Sequence, residues 1–216
     1  MILLDLETYA LDAAAQFIEP PTAPANYRDE AKILAYVVER TRELIDRCAL
    51  DPDLCRIVAI GMDGRDFAEP CVHLCKDEGE ERKALAVAWG MIRHQPVVGF
   101  NILSFDLPVM IRRSQYLGLA YPTINLDRYR TNHVDLMERL SFNGKIKAHS
   151  LDFYARRFDF GIQDAVTAKD VDALVAAGNW EAVQSHCLAD LQRTRRLAEQ
   201  LGIFSATEVD REQPVF

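Results

Sequence analysis

The chain has 216 residues, 49% of them hydrophobic and 27% charged, with a formal net charge of -8 at neutral pH. That length and apolar content suit one domain with a full core, and the acidic balance excludes a protein that coats long nucleic acid through a broad basic face. The opening run MILLDLETYA is interrupted by Asp5 and Glu7 and has no basic flank, and no stretch approaches the roughly 18 apolar residues of a spanning helix. No membrane role is expected, and the chain reads as cytoplasmic. Five cysteines, an odd count, suit free thiols in a reducing compartment.

Residues 1–8 read as a buried strand, with Ile2, Leu4 and Leu6 on one face and Leu3, Asp5 and Glu7 on the other. Pro20, Pro21 and Pro24 forbid regular structure over 9–28. From Asp29 to about Cys48, the stripe Ile33, Leu34, Val37, Val38, Thr41, Leu44, Ile45 and Cys48 predicts a helix that serves packing. Asp29 and Glu30 suit its N-terminal turn. Residues 55–62 predict a strand, Asp63-Gly64 with Arg65 and Asp66 a turn, and 70–75 a return strand. A helix follows over roughly 78–94, with Ala84, Leu85, Ala88, Trp89 and Ile92 inward.

The segment VVGFN, 97–101, predicts a strand leading into a helix with Pro108 in its first turn and Asp106 placed as its cap. HVDLM, 133–137, predicts a short strand. Residues 150–158 open a helix, and 170–202 read as one or two helices broken near Gly178 and ending at Gly202. The tail 203–216 carries no pattern. Early strands joined by a turn predict an antiparallel part, and later strands alternating with helices predict parallel pairing. The whole, 1–216, reads as a single domain, with 13–53 an insertion that contains a helix.

Two groups of residues invite chemistry. Cys48, Cys55, Cys71 and Cys75 lie within 28 positions but lack the close C-x-x-C pairs of structural zinc sites. In a strand, Cys71 and Cys75 would stand about 13 Å apart, too far to share an ion, so buried thiols are the better reading. The second group is Asp5, Glu7, Asp106 and Asp190, acids in three separate apolar segments. Buried carboxylates are costly unless paired or metal-bound. Several brought together are what a magnesium site for phosphate chemistry requires. Asp5 and Glu7 are two apart and share a strand face; His186 and Asp190 are four apart and share a helix face. Asp135 is a strand-end acid kept outside this set.

Three motifs now fall in order: LLDLET with Asp5 and Glu7; Asn101 to Phe105-Asp106 in GFNILSFDLP; and His186-Cys187-Leu188-Ala189-Asp190. Over 1–12 and 54–202 the chain resembles the DEDD superfamily of 3′-to-5′ exonucleases. It is most similar to the proofreading domains of family-B DNA polymerases and to stand-alone relatives in bacteria and phages. The resemblance implies a ribonuclease-H-like α/β fold, a mixed β-sheet flanked by helices. It implies hydrolysis of terminal phosphodiesters of single-stranded DNA with a free 3′ end, releasing nucleoside 5′-monophosphates by a two-metal mechanism. Asp5, Glu7, Asp106 and Asp190 would hold two Mg²⁺ or Mn²⁺. His186 would orient or deprotonate the attacking water, and Asn101 and Phe105 would contact substrate. Histidine here occupies the spacing of Y-x-x-x-D, one shorter than H-x-x-x-x-D. The basic pairs Arg112 and Arg113, Lys145 and Lys147, and Arg156 and Arg157 are candidate phosphate contacts. Rival readings are an exoribonuclease of the same superfamily and a non-catalytic nucleic-acid-binding module on a nuclease fold. DNA-versus-RNA preference and oligomeric state are left open.

Overall fold

In the computed structural model, which describes residues 1–65 and 67–203, the first strand is the middle of a five-stranded sheet. This strand, β1 (Ile2–Ala10), pairs antiparallel with β2 (Cys55–Gly64), from Ile2 opposite Gly64 to Ala10 opposite Cys55. The third strand, β3 (Cys71–Leu74), extends the antiparallel side. On the other side of β1 lie β4 (Val97–Gly99) and then β5 (Val134–Asp135), both parallel. The order β3-β2-β1-β4-β5 is the mixed sheet expected from the sequence.

Strand periodicity sends alternate residues of β1 to two different cores. Ile2, Leu4 and Leu6 join Ile57, Ile60 and Met62 under α2 (Glu78–Ile92) and α3 (Asp106–Tyr116). All five residues expected to face inward on α2 are buried. Leu3 faces the opposite way, under α5 (Leu151–Arg157) and α7 (Trp180–Gln200). Each large aliphatic side chain so buried contributes about 1.5–3 kcal/mol. The first face also holds an ion pair. Glu81 accepts from Arg113 Nε at 2.7 Å and from the Ile57 amide at 3.0 Å, which ties α2 to α3 and to β2.

The β1–β2 ladder shifts register between Glu7 and Thr8: Ala59 faces Glu7, while Ile57 faces Thr8. The extra residue, Val58, makes a bulge. Its signature is that Val58 and Ala59, though adjacent, belong to the same core, the one beneath α6 (Val171–Ala176) and α7. The break between these two helices falls at Gly178, whose φ of +69° suits glycine. Asn179 then caps α7, accepting from the Ala182 amide.

Several local expectations are corrected. The helix α1 (Glu30–Asp46) forms, capped by Asp29, but none of its residues is buried. Leu34 is 65% exposed and Val38 61%, while Ile33, Val37, Thr41 and Leu44 are half-buried, so the stripe predicted to pack is only partly covered. Asp63 and Gly64 finish β2, paired with Leu3 and Ile2, so the expected turn begins only at Gly64, whose carbonyl accepts from the Phe67 amide; Asp66 lies outside the described residues. Only Val134 and Asp135 of 133–137 are strand. Asp135 accepts from the amides of Met137 and Glu138 and thereby starts α4 (Leu136–Leu140). All of the tail except Ile203 lies outside the described residues. Among the described residues no helix is long and apolar enough to cross a membrane.

Candidate active site

Asp5 and Glu7 leave β1 on the face covered by α7, which packs across β1 and β2. The approach is close because residue 61 is glycine. A Cβ there would lie 2.7 Å from Cys187 Sγ and 2.8 Å from Leu191 Cδ1. With the helix this low, His186 and Asp190, one turn apart, reach the carboxylates of the strand. One ligand atom each from Glu7, His186 and Asp190 lies within 4.8 Å of the others, and so does one each from Asp5, Glu7 and Cys187.

Asp106 arrives from the other side. Pairing of β1 with β4 ends at Leu3 opposite Val98. Beyond it, the Asp106 carboxyl accepts from the Leu6 amide and from its own. The turn that delivers it is braced by Asp135, which accepts from the Asn101 amide at 2.9 Å and the Leu103 amide at 3.1 Å. Asn101 itself has a φ of 64°. Asp106 does not cap α3 as expected. Phe105 occupies the cap position without a side-chain bond, and Asp106 is the first helical residue, turned toward β1.

The electrostatics are those of acids crowded out of water. Burial pushes the Asp5 and Glu7 carboxyls well above the usual range, and the other acids push them further. Burial raises Asp106 to about 7. It raises Asp190 too, against the opposing pull of His186 and Arg193. Asp5 Oδ2 is buried without a hydrogen-bond partner. Mutually repelling oxygen donors, one of them orphaned, fit a hard divalent cation such as Mg²⁺ or Mn²⁺.

His186 is 3% exposed. Its Nδ1 lies 2.7 Å from Asp164 Oδ2, and its Nε2, 3.8 Å from Glu7 Oε1, has no hydrogen-bond partner. Arg193 Nη1 donates to Asp190 Oδ1 at 2.5 Å and to Asp164 Oδ2 at 3.2 Å.

A family model described as a predicted 3′-5′ exonuclease related to the exonuclease domain of PolB matches residues 50–197. The chain belongs to this family. It is 26% identical over 174 residues to a DNA polymerase of Red sea bream iridovirus, an alignment covering 68% of the chain and 18% of the viral protein. Its fold resembles that of the family B DNA polymerase from the hyperthermophilic archaeon Pyrobaculum calidifontis, with a TM-score of 0.61 and 18% identity, over 93% of the chain and 24% of the polymerase. The chain thus spans less than a quarter of the length of either relative.

In this PolB-related exonuclease-like domain the structure gathers Asp5, Glu7, Asp106, His186 and Asp190 at one place. Asn101 and Phe105 are half-buried on the turn before α3, and Phe105 also packs against the core. One of the candidate phosphate contacts is ruled out: Arg113 is 3% exposed and committed to Glu81. Arg112 is paired with Asp53 at 2.8 Å and Arg156 with Asp152 at 2.9 Å, while Lys145, Lys147 and Arg157 are exposed. Sequence reasoning missed Asp164, which sits in the irregular stretch between α5 and α6 and carries no periodic signal. Arg193 was legible only as a partner for Asp190 three residues earlier. All five cysteines are free thiols, and Cys48, Cys55, Cys75 and Cys187 are buried.

Proposed function

We propose that this chain is a metal-dependent 3′-5′ exonuclease that hydrolyses the terminal phosphodiester of single-stranded DNA and releases nucleoside 5′-monophosphates. The observation that carries the reading is the convergence of Asp5, Glu7, Asp106 and Asp190 with the unpartnered Asp5 Oδ2 among them. Membership of a family described as predicted 3′-5′ exonucleases supports the polarity of cleavage. The net charge of -8 supports a grip on a few terminal nucleotides over a long duplex footprint. Residues 1–216 act as one exonuclease domain, with 13–53 inserted into it.

Asp5, Glu7 and Asp190 would hold one Mg²⁺ or Mn²⁺, and Asp5 with Asp106 a second. Bound there, such cations stabilise charge on the phosphoryl oxygens and on the leaving 3′ oxygen and acidify water. The protein's own groups do the rest. His186 Nε2 faces the acids and takes a proton from the attacking water. The water oxygen bonds to phosphorus, the bond from phosphorus to the 3′ oxygen breaks, and that oxygen is protonated from solvent. His186 then returns its proton to bulk water. Asn101 and Phe105, on the turn leading to Asp106, would hold the terminal nucleotide, with the Phe105 ring offering a stacking surface.

The test is release of mononucleotides from end-labelled single-stranded DNA and RNA in Mg²⁺, in Mn²⁺ and in EDTA. Release from DNA that EDTA abolishes and Mg²⁺ or Mn²⁺ restores supports the reading. Release from RNA alone transfers it to an exoribonuclease, and binding without release makes the chain a nucleic-acid-binding module. Undiminished cleavage in chelator overturns the metal-dependent mechanism.

A further inference from the structure

We propose that Asp164 is a positioning residue, holding His186 in the tautomer that carries hydrogen on Nδ1 and leaves the Nε2 lone pair turned into the acidic site. The kinetic half of this inference rests on the nuclease reading; the tautomer itself does not.

A carboxylate accepts hydrogen bonds and donates none, so the 2.7 Å contact with Asp164 Oδ2 makes Nδ1 the donor. A neutral imidazole with hydrogen on Nδ1 has a bare Nε2. Two carboxylates compete for the one hydrogen of that ring. If Glu7 won, the hydrogen would sit on Nε2, and the ring would present a donor where an acceptor is needed. Distance decides the contest. Glu7 Oε1 stands 3.8 Å from Nε2, beyond hydrogen-bond reach, whereas Asp164 is at full bonding distance.

Asp164 can do this because it is itself immobilised. Its Oδ1 accepts from the Val166 amide at 2.9 Å, a local turn that aims Oδ2 at the helix. Its Oδ2 is shared between His186 and Arg193 Nη1, and the side chain is 5% exposed. Arg193 spans Asp164 and Asp190, so its positive charge lies between two acids that would otherwise repel. The stretch between α5 and α6 thus reaches the site through one residue that none of the three sequence motifs contains. Carboxylates that take the second ring N–H of metal-ligating histidines set ring orientation and tautomer in the same way, and their loss costs about 10–100-fold.

The experiment uses the full chain, labelled with ¹⁵N and free of metal. Two-bond ¹⁵N–¹H correlations of the neutral His186 ring, assigned by their loss in His186→Ala, should show a protonated Nδ1 and a bare Nε2. Asp164→Ala should remove that preference. In single-turnover hydrolysis Asp164→Ala should slow the chemical step about 10–100-fold with KM little changed. Added to His186→Ala, it should cost much less than in wild type, because most of its effect runs through the ring and only the remainder through Arg193 and Asp190. A wild-type ring with hydrogen on Nε2 overturns the proposal without recourse to any variant. So does an unchanged pattern in Asp164→Ala, or an equal loss of rate in both backgrounds. A wild-type protein with protonated Nδ1 and no nuclease activity supports the positioning and overturns the nuclease reading instead. An active protein with hydrogen on Nε2 does the reverse.

Discussion

Replacing Asp106 by asparagine should stabilise the metal-free protein, by an amount that grows with pH. Burial raises this carboxyl from its ordinary 3.8 to about 7. The native state therefore keeps a proton that the unfolded chain has lost, and stability falls with pH wherever the native state binds more protons. The penalty is absent below about pH 4, grows between about pH 4 and 7, and is complete above that. Three pKa units at about 1.4 kcal/mol each give roughly 4 kcal/mol at pH 8, and the same reasoning gives roughly 2 kcal/mol at pH 5. Asparagine carries no charge, and its oxygen can still accept from the Leu6 amide. Urea unfolding in EDTA should therefore show Asp106→Asn more stable than wild type at both pH values, with the gain roughly 2 kcal/mol larger at pH 8. Mg²⁺ should then stabilise wild type more than the variant, since only wild type offers the full ligand set. A gain independent of pH, or a variant less stable at pH 8, would refute the claim that burial of this charge destabilises the empty site.

Asp5→Asn and Asp190→Asn should each slow single-turnover hydrolysis by on the order of a thousandfold or more while circular dichroism stays native. Near-normal rates in a folded variant would remove these residues from the site. A 3′-phosphate should strongly inhibit nucleotide release and a 5′ block should not, whereas efficient cutting of circular single strands would point to an endonuclease. Arg113→Ala should destabilise the fold by about 3–5 kcal/mol, because it leaves fully buried Glu81 without its counter-charge. A loss below about 1 kcal/mol in urea unfolding would mean that Glu81 is satisfied without it.

The parts of the site legible in the sequence are those that secondary-structure periods control. A spacing of two places Asp5 and Glu7 on one strand face, and a spacing of four places His186 and Asp190 on one helix face. What escaped depends on contacts between distant segments. Asp164 meets His186 across 22 residues from a stretch without regular period. Arg113 and Arg112 are alike in sequence, and only Glu81, 32 residues away, makes one of them buried. The stripe of α1 shows the other limit. Periodicity reveals that a helix has an apolar face but not whether anything lies against it. At Asp106 the error was a single residue: the acid expected to cap the helix begins it, and so turns toward the strand.

Gly61 sets how closely the strand and the helix approach at the site. Strand and helix each supply part of the ligand set, and the gap between them is the thickness of a residue with no side chain. A methyl group at that position would lift α7, and Asp190 with it, away from Asp5 and Glu7 on the strand. The preferred metal–oxygen distance rises by only a few tenths of an ångström from magnesium, at about 2.0–2.1 Å, to calcium, at about 2.3–2.6 Å. If the acids hold cations as proposed, a spacing suited to the smaller ion would be set by the ladder partner of Asp5, a residue that itself offers no ligand.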